Sequence, residues 1–202
     1  VAIDMPAGPS EVAIGADSTC HSDYVAADML SQAEHGMDSQ SILFTDSETV
    51  AHAVFAEVER QLELLPRKDM ASESLKHSRI VVLRDMEEAF DICNEYAPEH
   101  LILAMDSAME WADRVVNAGS VFLGHYSCES AGDYASGTNH TLPTSGYAKA
   151  YSGVNLDSFC HKITFQHLTL EGISSIGRAV EVMAGAESLD AHRNAMTLRM
   201  KN

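Results

Sequence analysis

The sequence predicts an α/β fold, an incomplete Rossmann-like, mainly parallel sheet with a small helical C-terminal segment. Short β-favouring runs alternate with helical patterns from the start of the chain to about residue 124. Such alternation implies βαβ units, in which each crossover helix returns the chain to begin another parallel strand. A Gly/Ser/Thr/Asn-rich stretch then breaks the pattern, and two helical patterns with no strand between them close the chain. The expected division is a Rossmann-like domain over 1–154 and a helical segment over 155–202.

The strand runs are Val12–Ala16, Ser41–Thr45, Arg79–Arg84, Leu101–Met105 and Ser120–Gly124. The first helix is expected from Ser22 to His35, capped by Ser22 or Asp23 and stopped by Gly36, with Val25, Met29 and Leu30 inward. Further helices are expected at Ser47–Leu65, ended by Pro66, at Asp85–Tyr96, ended before Pro98, and at Ser107–Ala118, ended by Gly119. Residues Tyr126 to Gly153 lack sustained periodicity and read as a long loop, and loops of that length are commonly functional. After an apolar run, Lys162–Leu168, helices are expected at Thr169–Ala186 and Ser188–Lys201, joined at Glu187.

Composition narrows the function classes. With 30 Asp and Glu against 13 Lys and Arg, the formal charge of −17 repels phosphate backbones, so no nucleic-acid partner is expected. Apolar stretches fall short of the roughly 20 residues that span a bilayer, so no membrane partner is expected either. The four cysteines, Cys20, Cys93, Cys128 and Cys160, form no C-x-x-C pair, which argues against a zinc ribbon or disulfide framework and fits a cytosol-like, reducing compartment. Because the chain opens with Val1 directly on a motif, a preceding portion is expected.

Three groups of residues have the types and spacing for chemistry. Gln32 and His35, at i and i+3, present both side chains on one helix face, as two metal ligands or as the polar end of a capped helix. Glu99-His100 follows Pro98 at the mouth of an apolar strand, where the two can divide acid and base work or form an inert turn. The segment Glu129-Ser-Ala-Gly-Asp133-Tyr-Ala-Ser-Gly-Thr-Asn139-His140 combines a carboxylate, an amide and an imidazole, ligand types zinc accepts, with glycines that permit turns. Glu187 and His192 span a helix start, where capping is the default reading. The other histidines, His21, His52, His77, His125, His161 and His167, have no matched partners in the sequence and read as surface or ordinary core residues. Neither a P-loop nor a G-x-G-x-x-G occurs, so the nucleotide contacts are left unassigned.

Taken in order and spacing, three blocks resemble the histidinol dehydrogenase family: Ile3-Asp4 through Ser10-Glu11 leading to Ser31-Gln32-Ala33-Glu34-His35-Gly36; Tyr96-Ala97-Pro98-Glu99-His100-Leu101; and Glu129 through His140 to Leu142-Pro143-Thr144. The resemblance covers essentially the whole chain. It implies zinc ligands at Gln32, His35, Asp133 and His192, an acid/base pair at Glu99 and His100, and substrate contacts at these six together with Ser10, His140 and Glu187. The implied activity is zinc-dependent oxidation of L-histidinol to L-histidine through histidinal with two NAD⁺, the last step of histidine biosynthesis. A homodimer with shared sites is implied, Glu187 and His192 serving the partner's site. The location implied is cytoplasmic, or plastid in a plant-like source. The family is about twice this long and its NAD contacts lie mostly in the preceding half, so the alternative is a non-catalytic zinc-binding fragment or paralogue. Cys128 stands where the family usually has Pro, and Cys20 where a small residue is common; neither is a ligand position.

Overall fold

A computed structural model describes residues 5–201. Five strands, β1 (Glu11–Ala16), β2 (Gln40–Thr45), β3 (Arg79–Val82), β4 (His100–Ala104) and β5 (Ser120–Leu123), form one sheet in the order β3-β2-β1-β4-β5. Every pairing is parallel. This is the Rossmann order without its sixth strand. The central strands β1 and β4 are buried along their whole length, which is why they are continuous apolar runs and not alternating ones.

Side chains alternate across the sheet and supply two cores. Val12, Ile14, Leu43 and Ile102 pack on one face against α1 (Ser22–Ala33) and α2 (Glu48–Leu62). Ala13, Phe44, Leu101 and Leu103 pack on the other against Phe90 and Cys93 of a helix at Met86–Tyr96. The helix starts carry sequence-legible caps: Ser47 Oγ accepts from Val50 N at 3.3 Å, and Asp85 Oδ1 accepts from Glu88 N at 2.9 Å.

Several boundaries differ from expectation. The first helix begins after His21, whose side chain makes no capping bond, so neither Ser22 nor Asp23 is the cap. It ends at Ala33, short of His35, with Glu34 as the closing residue, so Gly36 is not the stop. The second helix ends at Leu62 because a turn at 63–65 precedes Pro66.

An unexpected helix, α3 (Lys68–Leu75), follows; it buries only Ala71 and Ser74, and Ser74 Oγ donates to Ser39 O at 2.9 Å. With that helix counted, the helix at Met86–Tyr96 is α4. The helix expected over 107–118 is reduced to α5 (Ala108–Trp111) and a 3₁₀ turn, Ala112–Arg114. Within the expected loop stands another helix, α6 (Glu129–Tyr134).

By contact the chain divides into two units, the first ending at Phe159 and the second beginning at Cys160. The second unit consists of α7 (Leu170–Ala186) and α8 (Asp190–Met200), packed on each other, with Thr197 donating to Glu181 and Met200 lying against Gly177. Thr169 Oγ1 caps α7 by accepting from Gly172 N at 3.1 Å. The apolar run Lys162–Leu168 forms neither helix nor strand. No helix among the described residues is long and apolar enough to cross a membrane.

Candidate functional site

The amino ends of β1 and β4 gather the polar groups that the sequence scatters. Ala97 ends α4 in the left-handed conformation, φ 54°, and the following Pro98-Glu99 turns the chain into β4, whose first residue is His100. The register places Ser120, the first residue of β5, beside His100. Gly119 N donates to Pro98 O at 2.9 Å and Ser120 N to Glu99 O at the same distance. A Cβ at Gly119 would sit 2.6 Å from Glu99 O, so glycine is what lets this strand start close against the turn.

Both residues of the pair are buried, Glu99 to 5% and His100 to 3% exposure, so the inert exposed turn is excluded. Glu99 Oε2 accepts from Ser10 Oγ at 2.7 Å and from Glu11 N at 3.1 Å, two bonds that fix the carboxylate. Glu11 Oε1 in turn accepts from Ser145 N at 2.9 Å, tying the 144–146 turn to the site. His100 packs on the Phe122 ring, centroids 6.0 Å apart. Its Nδ1 stands 3.7 Å from Glu99 Oε2 and 4.0 Å from Glu129 Oε1, and its Nε2 stands 3.8 Å from Asp133 Oδ1. None of these is a hydrogen bond, and both ring nitrogens are buried without a protein partner. Buried polar atoms left this way point to a ligand or water that the protein itself does not replace.

The helix α6 supplies the other wall. Its Glu129 and Asp133 are spaced i and i+4, on one face. Glu129 is 1% exposed and lies 3.6 Å from His35 Nε2 and against the fully buried Gln32. Ligand atoms of His35, Glu129 and Asp133 all fall within 4.8 Å of one another, a spacing that suits one metal ion. Gly132 makes the helix fit: a Cβ there would meet the Phe122 ring at 2.6 Å.

Burial sets the electrostatics. Desolvation pushes Glu99 up to about 7 despite the bonds from Ser10 and Glu11. Desolvation, then the charges of Asp133, Glu99 and Asp28, pushes Glu129 up to about 9. Desolvation lowers His100 below the usual imidazole value, with Asp133 pulling the other way. A carboxyl raised towards neutrality beside an imidazole lowered from it is the arrangement expected of an acid/base pair. A cation among His35, Glu129 and Asp133 would reverse the push on the carboxyls.

Of the residues singled out from sequence, Ser10, Gln32, His35, Glu99, His100 and Asp133 come together here. His140 lies on the exposed loop after α6, near enough for its charge to lower His100 further. Glu187 closes α7 and His192 stands in the first turns of α8, both exposed in the second unit. Glu129 is the residue that the sequence named only as the start of a motif. Its i, i+4 spacing to Asp133 was the available signal, obscured by reading the stretch as loop. Two histidines read as unpartnered have partners: His125 Nε2 is 2.9 Å from Asp106 Oδ1, and His21 packs on Tyr24 and His125.

The histidinol dehydrogenase family model matches residues 1–200. The chain belongs to this family. A histidinol dehydrogenase of Bacteroides fragilis (strain YCH46) is 62% identical over 201 residues, covering 100% of this chain and 47% of its own length. A chloroplastic histidinol dehydrogenase of Oryza sativa subsp. japonica is 55% identical over 203 residues, with 43% of that protein covered. The crystal structure of histidinol dehydrogenase from Elizabethkingia anophelis superposes with a TM-score of 0.94 at 58% identity, covering 100% of this chain and 46% of that one. The chain spans about half the length of the curated relatives it matches.

Proposed function

We propose that this chain carries the acid/base and metal-binding part of an enzyme that oxidises L-histidinol to L-histidine through histidinal, using zinc and two NAD⁺, as the last step of histidine biosynthesis. The observation that carries the proposal is the buried His100, both of whose ring nitrogens lack protein partners, with Glu99 and Glu129 near Nδ1 and Asp133 near Nε2. The donor set fits zinc, because imidazole and carboxylate oxygens converge at His35, Glu129 and Asp133. Gln32, His35, Asp133 and His192 would hold the ion, the last from the partner of a homodimer. When bound, zinc would supply a redox-inert Lewis acid to hold the substrate, and NAD⁺ would supply the hydride acceptor.

The chain's own residues do the proton work. The lowered affinity of His100 keeps its ring neutral, so one nitrogen is an acceptor in either tautomer and takes the hydroxyl proton as the first hydride leaves. Glu99, held by Ser10 and the Glu11 backbone, takes a proton from the water that adds to the aldehyde carbon, while His100 returns its proton to the aldehyde oxygen and is neutral again. The resulting hydrate loses its second hydride and becomes the carboxylic acid, with His100 again accepting the proton. Ser10, His140 and Glu187 are assigned as further substrate contacts. Burial of Glu99 and His100 keeps bulk water from the reacting carbon.

The test is NADH formation by the purified chain with zinc, L-histidinol and NAD⁺, beside the same chain within a polypeptide of the relatives' full length. Turnover in the longer form supports the proposal. A longer form that is folded and zinc-loaded but inactive overturns it in favour of a non-catalytic zinc-binding paralogue.

A further inference from the structure

We propose that Glu11 is a positioning residue for the hydration of the aldehyde: its side chain fastens the 144–146 turn over the turn that carries Glu99. Glu11 has no place in the proton transfers above, yet it is buried to 7% exposure beside a second buried carboxyl. The two residues engage each other's backbone. Glu11 N donates to Glu99 Oε2 at 3.1 Å, and the backbone amides of Ser145, Glu99 and Gly146 favour the ionised form of the Glu11 carboxyl against its desolvation.

The 144–146 turn needs a fastening. Ser145 and Gly146 both stand in the left-handed region, φ 56° and 76°, and Tyr147 N closes the turn by donating to Thr144 O at 3.0 Å. A serine in that conformation is strained and persists where its surroundings hold it; here Glu11 Oε1 accepts from Ser145 N at 2.9 Å. The residues leading into the turn lie on the Glu99 turn. A Cβ at Gly119 would stand 2.6 Å from Glu99 O, 3.1 Å from Leu142 Cβ and 3.3 Å from Pro143 Cδ, so Gly119 is wedged between the two segments. Leu142 and Thr144 are buried there. The segment 142–144 thus roofs the start of β4, and Glu11 pins its far end.

Position, not charge, is what Glu11 supplies. One of its oxygens can accept from Ser145 N whether the carboxyl is ionised or neutral. Its negative charge disfavours the ionised form of Glu99, the form that takes the proton from water, so charge alone would work against the step. With the turn released, the base would lose its fixed aim at the attacking water.

The inference rests on the dehydrogenase reading, and the experiment separates the two. In the zinc-loaded polypeptide of the relatives' full length, alcohol oxidation is read as the first NADH formed per site from L-histidinol. Aldehyde oxidation is read as NADH formed from L-histidinal. Glu11→Asp keeps the charge but withdraws the acceptor by one methylene, whereas Glu11→Gln keeps the acceptor without the charge. Glu99→Gln is the reference, and folding is followed by circular dichroism. Glu11→Asp is expected to slow aldehyde oxidation about 10–100-fold more than alcohol oxidation, and Glu11→Gln to lose far less.

Equal losses in Glu11→Asp and Glu11→Gln would make charge the operative property and overturn the inference. So would equal losses in the two oxidations, the mark of a structural role only, or unchanged rates in Glu11→Asp. If Glu11→Asp fails to fold, Glu11→Ala replaces it, with the same pattern expected. A Glu99→Gln form not selectively slowed on the aldehyde removes Glu99 from the hydration, and this inference with it. An unsubstituted form that is folded and zinc-loaded but oxidises neither substrate removes the dehydrogenase reading as well.

Discussion

The two ends of the sheet differ in how their polar groups are satisfied. At the amino ends, Glu99, His100, Gln32 and Glu129 are buried, and the His100 nitrogens have no protein partner. At the carboxyl ends the polar groups largely satisfy one another. Thr19 N donates to Asp17 Oδ1 at 2.9 Å, Asp106 N donates to Thr19 Oγ1 at 3.0 Å, and His125 Nε2 meets Asp106 Oδ1 at 2.9 Å, leaving His125 Nδ1 as the orphan there.

Open α/β sheets usually bind ligands at the carboxyl ends, where the strand order switches. The Glu99-His100 mouth expected from the sequence is instead the amino mouth of β4. The difference teaches that a fold rule locates a site less securely than the pattern of buried, unsatisfied groups does.

If that contrast is right, substitutions at the amino ends should affect chemistry and those at the carboxyl ends should not. The largest expected effect is at His100: in a form that turns over, His100→Asn should lower NADH formation by about 10²–10⁴-fold with zinc retained. Zinc loss in that variant, read by metal analysis, would move His100 from base to ligand. Next, Asp133→Ala should weaken zinc binding by more than about 100-fold while the chain stays folded.

Smaller is the effect of packing. Gly132→Ala forces a methyl into the Phe122 ring, an overpacking that should cost about 1–3 kcal/mol, measurable by urea unfolding. An unchanged midpoint would show that α6 is free to shift. The acidic pair gives a pH test in the metal-free chain. Glu99 at about 7 and Glu129 at about 9 bind protons more tightly folded than unfolded, where the value is about 4.3. Their contribution to stability is therefore complete below that unfolded value and is lost as pH rises through the two folded values. Urea midpoints should fall from about pH 5 to about pH 9, and added zinc should flatten the slope, because the cation favours the ionised carboxylates. Smallest is Asp106→Asn at the opposite end, expected to change stability by less than about 0.5 kcal/mol and turnover not at all. A clear loss of turnover there would place function at the carboxyl ends after all.

Much of this molecule follows from sequence alone. Alternating apolar runs and helical patterns determined five strands and the long helices, because strand and helix periodicities are local properties. The caps at Ser47, Asp85 and Thr169 are equally local, each a side chain reaching an amide three residues on. The motif blocks were enough to name the family and six of the residues that converge.

Tertiary structure decided the rest. The helices α3 and α6 are too short and too weakly patterned to be read, and they sit where Ser74 bonds the distant Ser39 carbonyl and where Gly132 fits closely against the Phe122 ring. Strand order, and with it the end of the sheet that holds the site, depends on which strands pair and not on where each lies in sequence. The proximity of Glu129 to Gln32, the raised proton affinities of Glu99 and Glu129 and the lowered one of His100 all arise from burial among groups far apart in the chain. Local sequence cannot encode desolvation, because it is a property of what the finished fold excludes.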